Sequence, residues 1–446
     1  MMKHPHRSFR AASGLLAAAL LLSLLLVSDR TGARGMQGTP VAATPAATSG
    51  ASARQPAWIE LGPDGARLAR AITAGVGCPD LTADGAVQPM SPRAAADSDF
   101  PVTVCEASLP PTVGTVEVAG QPLRVPQGTP RRIAVIGDTG CRLNVYDGFQ
   151  ACNDPAAWPF ARIAASVAAW QPDLIIHVGD YLYREQACPA GNAGCAGSPF
   201  GDNWETWNAD FFAPAAPLLP VAPWLVVRGN HEVCSRNGEG WFRFLEPRPF
   251  PATCADYTDP YAASVGDRQF LVLDCATADD QKAPANEVAI YTEQFKTLGQ
   301  AARPGAWFVT HKPLSSIIEE RAGVQTEVHN ETLQAAFVQA FPAGVQLALA
   351  GHIHLAEVLS FDPASGRPLQ FVVGNGGTAL DVNVTDGLPN ADVADSQLTA
   401  GETIEQFGFL TLESDAAGNW VATERDVDGA ATSTCTVVAA TATCQR

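Results

Sequence analysis

Leu174-Ile175-Ile176-His177-Val178-Gly179-Asp180-Tyr181-Leu182-Tyr183 sets a short apolar run directly against a glycine, a carboxylate and two tyrosines. A run this short and this apolar suits a strand buried on both faces. The polar break then marks the strand's end and puts Asp180 and Tyr183 at the edge of a sheet. The same grammar recurs along the chain. Ile133–Ile136 runs into Gly137-Asp138-Thr139-Gly140, and Leu225–Val227 leads to Gly229-Asn230-His231-Glu232. Trp307–Val309 is followed by Thr310-His311, and Val345–Leu349 by Gly351-His352-Ile353-His354. Phe270–Leu273 and Phe371–Val373 are further runs of this kind. Between the first two, Ala156–Trp170 carries Phe160, Ile163, Val167 and Trp170 at helical spacing, so a βαβ unit is predicted. Strands alternating with helices in this way read as one large α/β domain over residues 131–446. Five strand ends bring polar groups to one sheet edge, where α/β folds place their sites.

Carboxylate, imidazole, amide oxygen and phenolate are ligands for hard or borderline cations. Two adjacent cations can clamp a phosphate and activate a water near neutral pH. In Gly351-His352-Ile353-His354, residues two apart in extended chain point the same way, so two imidazoles can face neighbouring ions. The glycines at 137, 179, 229 and 351 are expected to let the chain turn sharply at each strand end. Four of the eight histidines lie in these motifs.

Taken in order, Asp-x-Gly, Gly-Asp-x-x-Tyr, Gly-Asn-His-Glu, a strand-end His and Gly-His-x-His resemble the calcineurin-like metallophosphoesterase superfamily, and within it the purple acid phosphatase branch. Many superfamily members have a histidine where this chain has Gly140, and Tyr183 stands at the branch's tyrosine position. The resemblance covers roughly residues 131–380. It implies a four-layer α/β/β/α sandwich of two mixed sheets flanked by helices. It also implies two metal sites. Asp138, Tyr183 and His354 would hold the first metal, Fe(III) in this branch. Asn230, His311 and His352 would hold the second, a divalent Zn, Mn or Fe. Asp180 would bridge them, and His231 would act as general acid beside the substrate phosphate while a metal-bound hydroxide attacks phosphorus. At His311 the family's Val-x-x-His reads Phe308-Val309-Thr310-His311, a conservative change. The implied reaction is hydrolysis of a phosphate ester, a monoester first. A phosphodiesterase acting on nucleotide or lipid head-group diesters is the nearest alternative. A secreted binding module on a degenerate scaffold is disfavoured, because degeneration should have cost at least one of the seven ligands.

Each residue also has a plainer reading. An isolated Asp after a strand is usually a cap or turn residue. Tyr181 competes with Tyr183, and His177, inside an apolar run, reads as a hydrogen-bonded core histidine. His329 has no motif and reads as surface or supporting. Arg184, Arg228 and Glu232 flank the motifs and can orient ligands from behind. Arg142, Arg228 or Arg236 can reach a phosphate, but ordinary ion pairing suits them equally. Gly374-Asn375-Gly376-Gly377 lacks the Lys-Ser/Thr ending of a phosphate loop and reads as a tight turn. The stretch from Arg184 to Trp207 and that from Val233 to Thr258 are the expected walls of the site.

The chain has 446 residues, 46% hydrophobic and 17% charged, with a formal net charge of −18. That composition fits a globular protein, and the negative charge argues against non-specific nucleic-acid partners. A negative protein that handles phosphate must gather positive charge locally, as metal ions do. Lys3, Arg7 and Arg10 precede an apolar stretch, Gly14–Val27, too short to span a bilayer comfortably. Residues 1–28 are therefore expected to be a signal peptide, leaving a secreted or periplasmic protein with no stable membrane insertion. Residues 29–56 read as a flexible Ala/Thr/Pro-rich linker, and 57–130 as a small N-terminal subdomain with a helical-looking stretch at Ala66–Ala74. Eleven cysteines suit an oxidising compartment. Neighbour pairing suggests Cys141–Cys152, Cys188–Cys195, Cys234–Cys254 and Cys435–Cys444, with Cys78–Cys105 as a fifth bridge and Cys275 left over.

Overall fold

The computed structural model describes residues 55–321, 324–328, 330–382, 388 and 392–445. The expected signal segment, most of the spacer and His329 lie outside them. Ala53–Arg446 forms one compact unit.

All seven apolar runs are strands, and they divide between two sheets. In the first, Arg132–Ile136, Leu174–His177, Trp224–Val226 and Ala57–Leu61 lie side by side and parallel. In the second, Arg268–Val272, Ala306–Val309, Val345–Ala350 and Leu369–Val373 do the same. Antiparallel strands extend both sheets outward, to 11 and 8 strands. Alternating side chains point to opposite faces of a strand, and that alternation builds the layers. Ile133, Val135, Ile176 and Leu225 face Phe270, Val272, Trp307, Leu349 and Phe371 between the two sheets. Ala134, Ile136, Ile175 and Val226 face outward onto the helix Phe160–Trp170. Leu271, Phe308 and Ala348 face the other way, onto the helices Ala285–Ala301 and Glu331–Ala340. The result is the expected α/β/β/α sandwich.

The helix Phe160–Trp170 buries Phe160, Ile163 and Val167, each worth roughly 1.5–3 kcal/mol. It stops at Gln171, whose left-handed backbone (φ 55°) ends the helix just before Pro172. Ala66–Ala74 departs from its expected helicity: Arg67–Ala74 is a strand. Its residues are covered on both sides, so no amphipathic period marks it. Ala69 and Ala71 join one apolar cluster and Ile72 another. Arg70, fully buried, pairs with Glu60 at 2.9 Å and donates to the carbonyls of Phe244 and Glu246. Residues 57–130 thus contribute strands to the first sheet, beside a separate four-stranded sheet of Asp80–Ala83, Ala86–Pro89, Val116–Val118 and Gln121–Leu123.

The five disulfides join the pairs that sequence neighbourhood suggests, and Cys275 is free and buried. Three of them, Cys141–Cys152, Cys188–Cys195 and Cys234–Cys254, brace loops that leave the first sheet at one edge. Among the described residues, no helix is long and apolar enough to cross a membrane.

Candidate metal centre

The parallel strands of both sheets end at a common edge, and the chain changes conformation abruptly there. Asp138 (φ 55°), Asp180 (φ 58°) and His352 (φ 72°) adopt the left-handed region themselves. From sequence, the sharp turns are expected at the glycines before them, 137, 179, 229 and 351. Of those four, Gly179 alone has positive φ. Left-handed backbone in residues with a Cβ is costly and tends to persist at functional sites. At Gly229 the requirement is space: a Cβ there would stand 2.0 Å from Asp180 Oδ1.

Two groups of donor atoms meet at this edge. The Tyr183 hydroxyl lies 2.9 Å from Asp138 Oδ1, 2.7 Å from Asp180 Oδ2 and 3.0 Å from His354 Nε2. Asn230 Oδ1 lies 2.9 Å from His311 Nε2 and 2.8 Å from His352 Nδ1. Asp180 touches both groups, since its Oδ2 is also 3.2 Å from His311 Nε2. His231 is beside them, its backbone N–H donating to Asp180 Oδ1 at 2.8 Å. All eight residues singled out from the sequence therefore come together. Tyr181 does not: its hydroxyl turns inward to the Val227 carbonyl at 3.2 Å.

Gly140 explains why the tyrosine fits. A Cβ at 140 would stand 2.7 Å from Tyr183 N and 2.9 Å from Tyr183 Cδ2. The two positions compete for one space.

The electrostatics suit cations. Burial drives the Tyr183 phenol well above its ordinary range, and Asp138 and Asp180 push it further. A phenolate beside two buried carboxylates therefore requires added positive charge. Burial also opposes ionisation of Asp180, but His311 and His231 outweigh it and hold the carboxyl well below the usual range. The same partnership lifts His311 to about 9 against its own desolvation. Oxygen and imidazole donors at these separations fit two hard or borderline metal ions.

Supporting groups hold the donors from behind. Glu232 Oε2 accepts from the backbone N–H of Asp180 and of Gly229, each at 3.1 Å. Its Oε1 accepts from Tyr181 and Leu182, at 2.9 and 3.1 Å. Burial, then the Asp180 charge, raises its pKa to about 8. The His311 ring is fixed by the Val178 carbonyl, 2.8 Å from Nδ1. Arg228 and Arg184 face away from the donors: Arg228 caps the Glu232 and Ala255 carbonyls, and Arg184 pairs with buried Asp210. Arg142 and Arg236 do reach the site, at His354 and His231 respectively. His177 is a core residue, 3.0 Å from Thr139 Oγ1 and stacked on Tyr181. Gly374–Gly377 is a turn packed against the first motif, with Gly376 N donating to the Gly137 carbonyl.

Three acidic residues near the centre carried no motif. Asp280 Oδ2 is 3.6 Å from His352 Nε2 and 2.8 Å from Lys312 Nζ. Asp381 accepts from the His354 N–H at 2.8 Å, and Glu185 stands 3.0 Å from His231 Nδ1. Proximity to Tyr183 was the one available hint for Glu185. Asp280 and Asp381 come from loops remote in sequence.

A family model for calcineurin-like phosphoesterases matches residues 131–356. The chain belongs to that family. Its similar curated relatives are purple acid phosphatases. Purple acid phosphatase 23 of Arabidopsis thaliana is 23% identical over 333 residues, covering 69% of this chain and 64% of that protein. Purple acid phosphatase 15 of the same plant is 23% identical over 275 residues, 57% of this chain and 47% of that protein. The chain thus spans less than two thirds of the length of either. In fold it is similar to a purple acid phosphatase from yellow lupin (Lupinus luteus) seeds, with a TM-score of 0.53 at 15% identity over 84% of this chain and 72% of that one.

Proposed function

We propose that this protein is an exported binuclear metal-dependent phosphoesterase that hydrolyses phosphate monoesters. The observation that carries the reading is Asp180, whose one carboxylate reaches both donor groups, Tyr183 on one side and His311 on the other. Asp138, Tyr183 and His354 would hold an Fe(III) ion, Asn230, His311 and His352 a divalent Zn, Mn or Fe ion, and Asp180 both. When bound, the two ions neutralise the phosphate charge and lower the pKa of nearby water.

The chain's own part is to fix and supply. Glu232 holds the Asp180 and Gly229 turns in place. Arg236 brings a cation to the mouth of the site. His231, on the face of Tyr183, gives a proton to the oxygen that leaves phosphorus. Five disulfides support an extracytoplasmic setting.

The test compares p-nitrophenyl phosphate with its bis-ester, using purified protein reconstituted with iron plus zinc or manganese. Faster monoester turnover is expected. Faster diester turnover would move the protein to the phosphodiesterases, and turnover of neither with both metals bound would overturn the enzyme reading.

A further inference from the structure

Arg142 and Asn144 lie on either side of Leu143, so their side chains share one face of the chain. Both are directed at the candidate centre. Arg142 Nη2 is 2.6 Å from His354 Nδ1. Asn144 Nδ2 donates to Glu185 Oε2 at 2.8 Å, and the other oxygen of that carboxylate is 3.0 Å from His231 Nδ1. Leu143 packs the other way, with the Cys141–Cys152 disulfide. The small hairpin of Leu143–Asn144 and Gly148–Phe149 therefore turns one face to the donor cluster. Its base is tied to the second motif, where the Leu143 N–H donates to the Tyr183 carbonyl at 3.0 Å and the Gln186 N–H to the Leu143 carbonyl at 3.1 Å. Its tip curls back over the same face: the Tyr146 N–H donates to Asn144 Oδ1 at 2.8 Å and the Val145 N–H to Gln186 Oε1 at 2.9 Å.

The backbone of this tip is held, but the Tyr146 side chain is 88% exposed, more than any other aromatic side chain among the described residues. The other five tyrosines are buried or half-buried. A single exposed apolar side chain is ordinary, so its position is what carries meaning. An oxygen that takes a proton from His231 has to lie against that ring, and the group attached to the oxygen extends outward on the same side. Outward from His231 the contacts run through Glu185 and Asn144 to the backbone of Tyr146. Tyrosine has two side-chain torsions, so a ring that settles on it costs little order. Stacked rings also gain more than their buried area alone gives.

We propose that Tyr146 is a specificity-determining residue that stacks on an aromatic ring of the departing alcohol, so that the preferred substrates are phosphate esters of alcohols bearing such a ring. The inference rests on the phosphoesterase reading above and names the substrate class of that same site. Tyr146 binds the part of the substrate that leaves and takes no part in breaking the ester bond.

The test compares benzyl phosphate with cyclohexylmethyl phosphate, using metal-reconstituted protein. The two alcohols leave with similar difficulty and differ in whether the ring is aromatic. Wild-type protein should favour benzyl phosphate in kcat/KM. Tyr146→Ala should reduce that preference by roughly 2- to 10-fold, through KM more than kcat. Tyr146→Phe, which keeps the ring, should retain it. Calorimetric binding of benzylphosphonate, which has no ester bond to break, should weaken by the same factor in Tyr146→Ala. Adenosine 5′-monophosphate against ribose 5-phosphate identifies the ring. A Tyr146-dependent preference in that pair makes it a nucleobase, and one confined to the benzyl pair makes it a smaller aryl group. No preference in the wild type, equal losses on both members of each pair, or a Tyr146→Phe protein that behaves like Tyr146→Ala would overturn this inference alone. Wild-type protein that cleaves no phosphate ester, p-nitrophenyl phosphate included, would overturn the phosphoesterase reading and this inference with it.

Discussion

Tyr183 and Asp180 share a hydrogen bond of 2.7 Å in which the phenol donates to Oδ2, and that same oxygen lies 3.2 Å from His311. The two side chains are thus close enough to bind one cation together. Burial, and after it the charges of Asp138 and Asp180, holds the Tyr183 phenol in its protonated form.

Loading with Fe(III) should displace that proton and produce a visible phenolate-to-iron absorption band. Tyr183→Phe should bind iron without colour, because the ring is kept and only the oxygen is lost. Absorption spectra of both proteins at matched iron content check this. A wild-type protein that is colourless with iron bound would remove Tyr183 from the ligand set and leave the hydrolase reading open.

Asp180→Asn keeps the shape of the bridge and takes away its charge. Turnover should fall roughly a hundredfold or more, with the circular dichroism spectrum unchanged, because an amide still has an oxygen for the His231 N–H that now donates to Oδ1 at 2.8 Å. Metal content should fall too. Full activity in a folded variant would refute the bridging role.

The strands and donors were legible in the sequence because each combines two local signals, an apolar run and an abrupt polar stop. Asp138, Asp180 and Asn230 sit immediately after such stops, and burial on both faces makes the runs unmistakable. Arg67–Ala74 was not legible. It is equally buried, but its alanines and paired Arg70 carry no strand alternation, and its partners Glu60 and Glu106 are defined only by the fold. Asp280 and Asp381 were hidden for a related reason: a carboxylate that supports a ligand needs proximity in space and no fixed spacing in sequence.

Stability should depend on pH through Glu424, a buried carboxyl held by Asn375. Burial raises this carboxyl from 4.5 to about 8, against the Asn375 amide that donates to Oε1 at 2.7 Å, and Glu402 adds to the rise. The folded protein thus keeps a proton that the unfolded chain loses near 4.5. This contribution is fully present below that pH, declines as pH rises, and is gone above about 8. Glu424→Gln should flatten the fall in Tm between these limits. An unchanged slope in the variant would show that Glu424 is ionised in the folded state.

Gly140→Ala tests whether Gly140 and Tyr183 are a matched pair. The added methyl group would meet Tyr183 N at 2.7 Å, the Tyr181 carbonyl at 2.9 Å and the Tyr183 ring at 2.9 Å. Two of the three are backbone atoms, so a rotamer change cannot relieve the crowding. The Tyr183 N–H is itself fixed to buried Asp210 at 2.9 Å, so the segment resists moving as a body. Overpacking of this kind costs about 1–3 kcal/mol. The variant should lose several degrees of Tm and, when loaded with iron, show a shifted or weakened absorption band. A Gly140→Ala protein with native Tm and native colour would mean that the glycine is not what admits the tyrosine.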